Sequence, residues 1–241
     1  MHMDRLMVVE GPGQIQITRT KVIACATVIE EMLLHLPPGM DYQVLDFGLH
    51  VNPEALRRAL QAAIDASTTS ADTILLGYGL CSQGVVGLRA NNCTLVVPRV
   101  DDCIAIFLGS GEVYKAQARA EPGTYYLTKG WIEAGDSPFD EYDSLVEQYG
   151  EQKARWLMGQ VLKNYTRLAL INTGQYELEH YRDYSQRAAE RFGLRYEEIS
   201  GSSALIKKML HGPWDDEFVV VRPGETISYL DFKKVKHEDY R

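Results

Sequence analysis

The sequence predicts an α/β fold: a mainly parallel sheet with helices on both faces, Rossmann-like and doubly wound, with a helical insertion around 112–165. Three observations carry this. Short β-prone runs alternate with longer amphipathic ones, the pattern of strand–helix–strand units. The runs at 73–78 (Thr-Ile-Leu-Leu-Gly-Tyr) and 94–97 (Thr-Leu-Val-Val) are almost continuously apolar, as strands covered on both faces require. Turn and cap residues, Pro37-Pro38-Gly39 and Asn52-Pro53, separate the two kinds of run.

Residues 21–25 (Lys-Val-Ile-Ala-Cys) read as the first strand, and 27–36 as a helix that Pro37 and Pro38 stop. Residues 42–47 read as a second strand. Asn52 then caps a helix with Pro53 at its first position, and Leu56, Leu60, Ala63 and Ile64 share one face of it. The third strand, 73–78, leads into a glycine-bearing loop from Gly79 to Gly84. The fourth, 94–97, ends at Pro98, and 102–108 reads as a short apolar helix. Beyond it, Glu121-Pro122-Gly123-Thr124 is a turn, and Tyr125 to Trp131 is aromatic and β-prone. Residues 138–149 and 151–164 read as helices broken near Gly150. A strand at 167–171 follows, then a helix at about 175–192 with Leu178, Tyr181, Ser185, Ala188 and Phe192 on one stripe. Late strands are expected at 195–199 and 218–222, with a helix at 202–210 between them. The organisation expected is an N-terminal extension (1–20), one α/β domain (21–224) and a C-terminal tail (225–241).

With 241 residues, 45% of them hydrophobic and 24% charged, the composition is that of a globular protein that needs no disulfide staples. The net charge of −8 disfavours binding to nucleic acid or to an anionic membrane surface. The longest apolar runs, such as 73–76 and 168–171, fall far short of the ~20 residues of a membrane span. Residues 1–10 carry Asp4 and Glu10 and do not read as a leader peptide. A cytoplasmic protein with reduced thiols is therefore expected.

The cysteines carry the most chemical information. Right-handed crossovers between parallel strands place the loops that follow strands on one edge of the sheet. Ligands of such sheets bind beyond the carboxyl ends of the strands. Cys25 ends the first strand, Cys81 lies in the loop after the third, and Cys103 opens the helix after the fourth. All three are expected on that edge, whereas Cys93 precedes a strand and belongs at the other. Helix starts favour the thiolate at Cys25 and Cys103. Three converging thiolates in a reducing compartment suit zinc or an iron–sulfur cluster, and leave one metal position open. The competing reading is that each cysteine is a small buried hydrophobe.

Other residues fall on the same edge. Arg99 could grip a carboxylate or phosphate with both arms of its guanidinium. Asp102 reads either as a catalytic acid or as a helix cap. Asn172-Thr173-Gly174 ends the strand at 167–171 and reads as pocket or as a turn. Tyr78 beside Cys81 reads as a proton donor or as aromatic packing, and His50 as a pocket residue or a surface one. The glycines from Gly77 to Gly84 do not match a dinucleotide loop.

Leu76-Gly77-Tyr78-Gly79-Leu80-Cys81, followed by Pro98-Arg99-Val100-Asp101-Asp102-Cys103-Ile104 and Leu108-Gly109-Ser110, resembles the family named domain of unknown function 1638. So do Leu49-His50-Val51-Asn52-Pro53 with Leu56-Arg57, Pro122 to Thr128 with Gly130-Trp131, and Pro223-Gly224, a resemblance running from about 21 to 224. It implies cysteine at the positions of Cys25, Cys81 and Cys103 and not at Cys93, in agreement with the topological argument. It also implies a genomic neighbourhood of corrinoid-dependent methyltransferase systems in anaerobes. This chain departs from the pattern at Cys81-Ser82-Gln83, where members often have Cys-Gly-Asn, and at Asn172, where many have Asp. Both departures fall at the expected pocket, where they bear on the choice of substrate.

The leading functional expectation is a metalloprotein. Cys25, Cys81 and Cys103 hold an iron–sulfur cluster, of the 4Fe-4S type, with one iron open to a small-molecule substrate for lyase, desulfurase or transferase chemistry. Arg99, Tyr78 and Asp102 are the catalytic candidates, and Thr173, Gly174 and Gly79 the cofactor-binding ones. The alternatives are a zinc–thiolate site, or a non-enzymatic accessory protein for a corrinoid or methyltransferase partner. A homodimer is compatible with all of these.

Overall fold

The strand–helix alternation is realised as two parallel sheets, each in its own compact unit. The structure is a computed structural model that describes residues 6–9, 15–135 and 137–233. Parts of the expected extension and tail, and most of the residues on which the leader reading rests, lie outside these. One unit comprises the described residues up to Ile106 and from Ser203 onward; the other is Phe107–Ser202. Among the described residues, no helix is long and apolar enough to cross a membrane.

The first unit opens with two short antiparallel strands, β1 (Leu6–Val9) and β2 (Ile15–Thr18), where the sequence reading places no element. Its main elements are β3 (Thr20–Cys25), α1 (Ala26–Leu33), β4 (Asp41–Leu45), α2 (Pro53–Ser67), β5 (Thr73–Gly77), β6 (Thr94–Pro98), α3 (Cys103–Phe107, at the unit boundary), α9 (Ala204–His211) and β10 (Phe218–Val221). The strands form a sheet in the order β10-β6-β5-β3-β4. β3 pairs in parallel with β4 and β5, and β5 with β6; β10 runs antiparallel to β6. One face of the sheet (Ile23, Ile74, Leu76, Leu95, Val97) packs against Leu56, Leu60, Ala63 and Ile64 of α2. Residues of alternate register, Val22, Ala24, Leu75 and Val96, are fully buried as well. On that side α1 meets β3 and α9, and α9 meets β6. The Asn52 side chain accepts a hydrogen bond from the Ala55 N–H at 3.0 Å, so α2 starts as its cap signal predicts.

The second unit contains α4 (Gly111–Ala120), β7 (Thr124–Leu127), α5 (Lys129–Ala134), α6 (Pro138–Tyr149), α7 (Glu151–Val161), β8 (Arg167–Asn172), α8 (Glu179–Phe192) and β9 (Arg195–Ser200). Its sheet has the order β7-β8-β9, parallel throughout. Leu127, Leu168 and Leu170 pack with Phe139, Tyr142, Met158 and Tyr181. The stretch 112–165 is mostly helical, as expected, and also supplies the strand β7. The aromatic β-prone run thus divides, its first half strand and its second half α5.

This arrangement corrects one expectation about the site. Thr173 and Gly174 end a strand of the second sheet, not of the sheet that carries the cysteines. The reason lies in the pairing. β10 occupies the free side of β6 in antiparallel register, Phe218 opposite Pro98, so no further parallel strand can join there. The later strand–helix units pair among themselves.

Candidate functional site

Three strand ends of the first unit build the site. Cys25 is the last residue of β3 and stands immediately before α1 in extended conformation (φ −71°, ψ 159°). The parallel register sets Ala24 opposite Gly77, so Cys25 and Tyr78 leave neighbouring strands side by side. The loop after Tyr78 is then tied to the loop after β6. The Leu80 N–H donates to the Val100 carbonyl at 2.8 Å, and the Cys81 N–H to the Asp101 carbonyl at 2.9 Å. Cys103 follows two residues later, as the first residue of α3.

Gly79 makes this contact between loops feasible. A Cβ there would lie 2.8 Å from the Val100 carbonyl oxygen and 2.9 Å from the Asp102 nitrogen. Its role in the fold is close backbone approach. Beyond it, Cys81, Ser82 and Gln83 all adopt left-handed backbone, with φ of 46°, 53° and 71°. Each such residue costs roughly 1–2 kcal/mol. Hydrogen bonds from Gly84 N–H to the Cys81 carbonyl (2.9 Å) and from Val86 N–H to the Gln83 carbonyl (3.0 Å) hold the turn. Runs of strain in non-glycine residues concentrate at functional sites.

Cys25, Cys81 and Cys103 are each only partly exposed, and Cys25 and Cys81 border the α2-side core. The Cys25 sulfur lies 3.2 Å from the Thr27 hydroxyl. The start of α1 favours a thiolate at Cys25, as expected from sequence, but burial outweighs it. Desolvation raises the Cys25 thiol, while the Thr27 hydroxyl and the Thr27 and Val28 N–H groups pull it down only in part. Burial pushes the Cys81 thiol up to about 12; the Gly79 N–H opposes this, and the charges of Cys25 and Asp102 add to it. The Tyr78 phenol is raised as well, first by burial and then by Cys25, Cys81 and Cys103 together. One buried hydroxyl thus feels all three thiols, and the charged neighbours of Cys81 and Tyr78 named here are themselves acids. Among the described residues, no three or more His, Cys, Asp or Glu side chains are grouped as a single metal ion would need them.

Tyr78 is 4% exposed, and its hydroxyl has no hydrogen-bond partner among the described residues. Asp102 caps α3, accepting a hydrogen bond from the Ile104 N–H at 2.9 Å, which is the structural alternative weighed above. Arg99 is a correction. Its two terminal nitrogens donate to the carbonyls of Asp231 (2.5 Å) and Phe218 (3.0 Å). The fork expected to grip an anion instead ties the end of β6 to later backbone, because β10 lies alongside. In the second unit, Gly174 (φ +74°) donates its N–H to the Asn172 side chain at 2.8 Å, and with Thr173 forms the turn after β8. His50 holds the Phe47 carbonyl at 2.8 Å within its own short helical turn. Cys93 is 1% exposed in the core before β6, at the opposite end of the strands from the other three. Sequence reasoning missed Thr27, although a hydroxyl two residues after a cysteine at a helix start is a legible signal.

No curated protein and no solved structure matches the chain. A family model matches residues 44–210, a narrower span than the sequence motifs suggest. The match takes in Tyr78, Cys81, Asp102 and Cys103 and leaves Cys25 outside. The chain therefore belongs to the family described as "Protein of unknown function (DUF1638)".

Proposed function

We propose that this chain is a metalloprotein in which Cys25, Cys81 and Cys103 hold an iron–sulfur cluster, leaving one position for a small-molecule substrate. A single observation carries the reading: three cysteines lie at or beyond the carboxyl ends of three adjacent parallel strands, and backbone hydrogen bonds tie the loop of Cys81 to the loop that leads into Cys103. The donor set fits such a group in its chemistry, since soft thiolates are the ligands of iron–sulfur centres. Zinc is the weaker reading. Its ~2.3 Å bonds draw ligand sulfurs within about 4 Å of one another, and the three thiols are not so grouped. A cluster spaces its ligands more widely.

When bound, the group supplies a Lewis-acidic iron at the position that three protein ligands leave open. The chain's own residues do the rest. Gly79 keeps the two cysteine-bearing loops in contact. Asp102 caps α3 and so fixes the start of the helix that carries Cys103. With the Cys25 and Cys81 thiols held protonated by burial, loading releases protons and becomes easier as pH rises. A lyase, desulfurase or transferase reaction suits such a site.

The test is purification without oxygen. We expect a broad absorbance at about 400 nm from thiolate-to-iron charge transfer, bleached by a chelator acting with a reductant. A colourless protein, still colourless after incubation with ferrous iron and sulfide, contradicts the reading.

A further inference from the structure

We propose that two copies of this chain pair through the free edge of β4. The two strands run antiparallel about a twofold axis at Gln43, so that the sheet of the first unit continues from one protomer into the next. This pairing is independent of what the cysteines hold.

β4 ends its sheet, with β3 on one side and no described strand on the other. The outer side of such a strand presents a row of N–H and C=O groups that another strand can pair. Proteins commonly guard these edges with lysine, proline or inward-pointing charge. β4, Asp41-Tyr42-Gln43-Val44-Leu45, has neither lysine nor proline, and its single charge, Asp41, is matched by Lys21 of β3 at 3.2 Å. The edge strand β9 of the second unit contrasts with it, carrying Arg195, Glu197 and Glu198. At the far edge of the first sheet, Asp215, Asp216 and Glu217 lead into β10, and only Val220 of its side chains is exposed.

The side chains of β4 select the occupant. Tyr42 lies opposite Val22 and Val44 opposite Ala24, on the face that α1 covers. Val22 and Ala24 are fully buried, whereas Tyr42 and Val44 are each 44% exposed. Beside them α1 ends at Leu33 and its cap Leu34, both exposed. An antiparallel copy centred on Gln43 sets Tyr42 of each protomer opposite the partner's Val44. That is an aromatic–β-branched cross-strand pair, formed twice, and both pairs fall on the α1 face because residues 42 and 44 share it. Asp41 then meets the partner's Leu45, so no like charges confront each other although the chain carries −8. Any strand could satisfy the backbone, but this twofold fit of 41–45 to itself selects a second copy, as an isologous interface requires.

Analytical ultracentrifugation of the full chain, with reductant present, tests this from about 1 to 100 µM, the range in which modest interfaces assemble. We expect the mass to rise from 27.2 kDa towards twice that value. Two double variants test the register: Tyr42→Lys with Val44→Lys, and Tyr42→Glu with Val44→Glu. Each sets like charges opposite one another in the twofold pairing, so each alone should stay at 27.2 kDa, while an equimolar mixture should recover the dimer mass. Both should keep the circular dichroism of the wild type, because the changed side chains are half-exposed. A wild type that remains a monomer at the highest concentration overturns the proposal. Double variants that still dimerise singly also overturn it, by placing the interface elsewhere, and a mixture that stays monomeric rejects the antiparallel pairing. A variant that loses its fold overturns it too, by showing that Tyr42 and Val44 serve the protomer's own core.

Discussion

Gly79→Val should separate the loop of Cys81 from the loop of Cys103, and this single change should abolish iron loading. Even the first added carbon would stand under 3.0 Å from the Val100 oxygen and the Asp102 nitrogen, which are backbone atoms that cannot swing aside. Relief requires moving one loop off the other, breaking the Leu80–Val100 and Cys81–Asp101 hydrogen bonds. Overpacking of this kind costs about 1–3 kcal/mol, and each lost hydrogen bond about 1 kcal/mol more. Denaturant unfolding should register a loss of roughly 3–5 kcal/mol on these figures. Gly174→Ala makes a useful contrast. Its Cβ would meet nothing within 4 Å, although its φ is +74°. It should cost stability through that strained backbone alone, about 1–2 kcal/mol, and leave iron loading intact. Iron retained in full by G79V would show that the contact between the loops does not position the cysteines.

The unloaded protein should lose stability steeply between about pH 9 and pH 12. Cys81 holds its proton in the folded state up to about 12, while in the unfolded chain it loses it near 8.5. Across that window the unfolded state binds fewer protons than the folded one, so raising the pH favours unfolding. The stabilisation is fully present below the unfolded value and disappears as pH climbs through the folded one. At about 1.4 kcal/mol per unit, the Cys81 contribution is on the order of 5 kcal/mol. Cys25 acts in the same direction. The measurement is the difference in unfolding free energy between wild type and Cys81→Ala across pH 7–11. The variant should show a visibly flatter decline. Parallel curves would mean that Cys81 is not held as a neutral thiol. The same physics makes Cys81 slow to alkylate at neutral pH, in contrast to the activated thiols of redox enzymes.

The sequence made legible those parts of the site that depend on strand ends. Cys25 before α1, Cys81 after β5 and Cys103 at the start of α3 follow from apolar runs and their stops. Parallel pairing then puts them on one edge. The split into two sheets was not legible, because alternation of strand and helix says which elements exist and not which strands pair. Only the antiparallel seating of β10 beside β6 shows why β7, β8 and β9 pair with one another. Arg99 was misjudged for the same reason, since the carbonyls it holds belong to residues more than a hundred positions away. The left-handed run at Cys81, Ser82 and Gln83 was invisible, as none of these residue types announces such backbone. Nor does a helix start by itself predict a thiolate. At Cys25 the helix pulls one way and burial pulls harder the other way, and burial is a property of the whole fold.

The iron and acid-labile sulfide bound per chain, measured side by side in Cys25→Ser, Cys81→Ser, Cys103→Ser and Cys93→Ser purified without oxygen, test the central claim most directly. The account predicts that the first three each lose most of the metal and that Cys93→Ser keeps it. Iron that survives any of the first three changes, or that vanishes with Cys93→Ser while the fold persists, contradicts it.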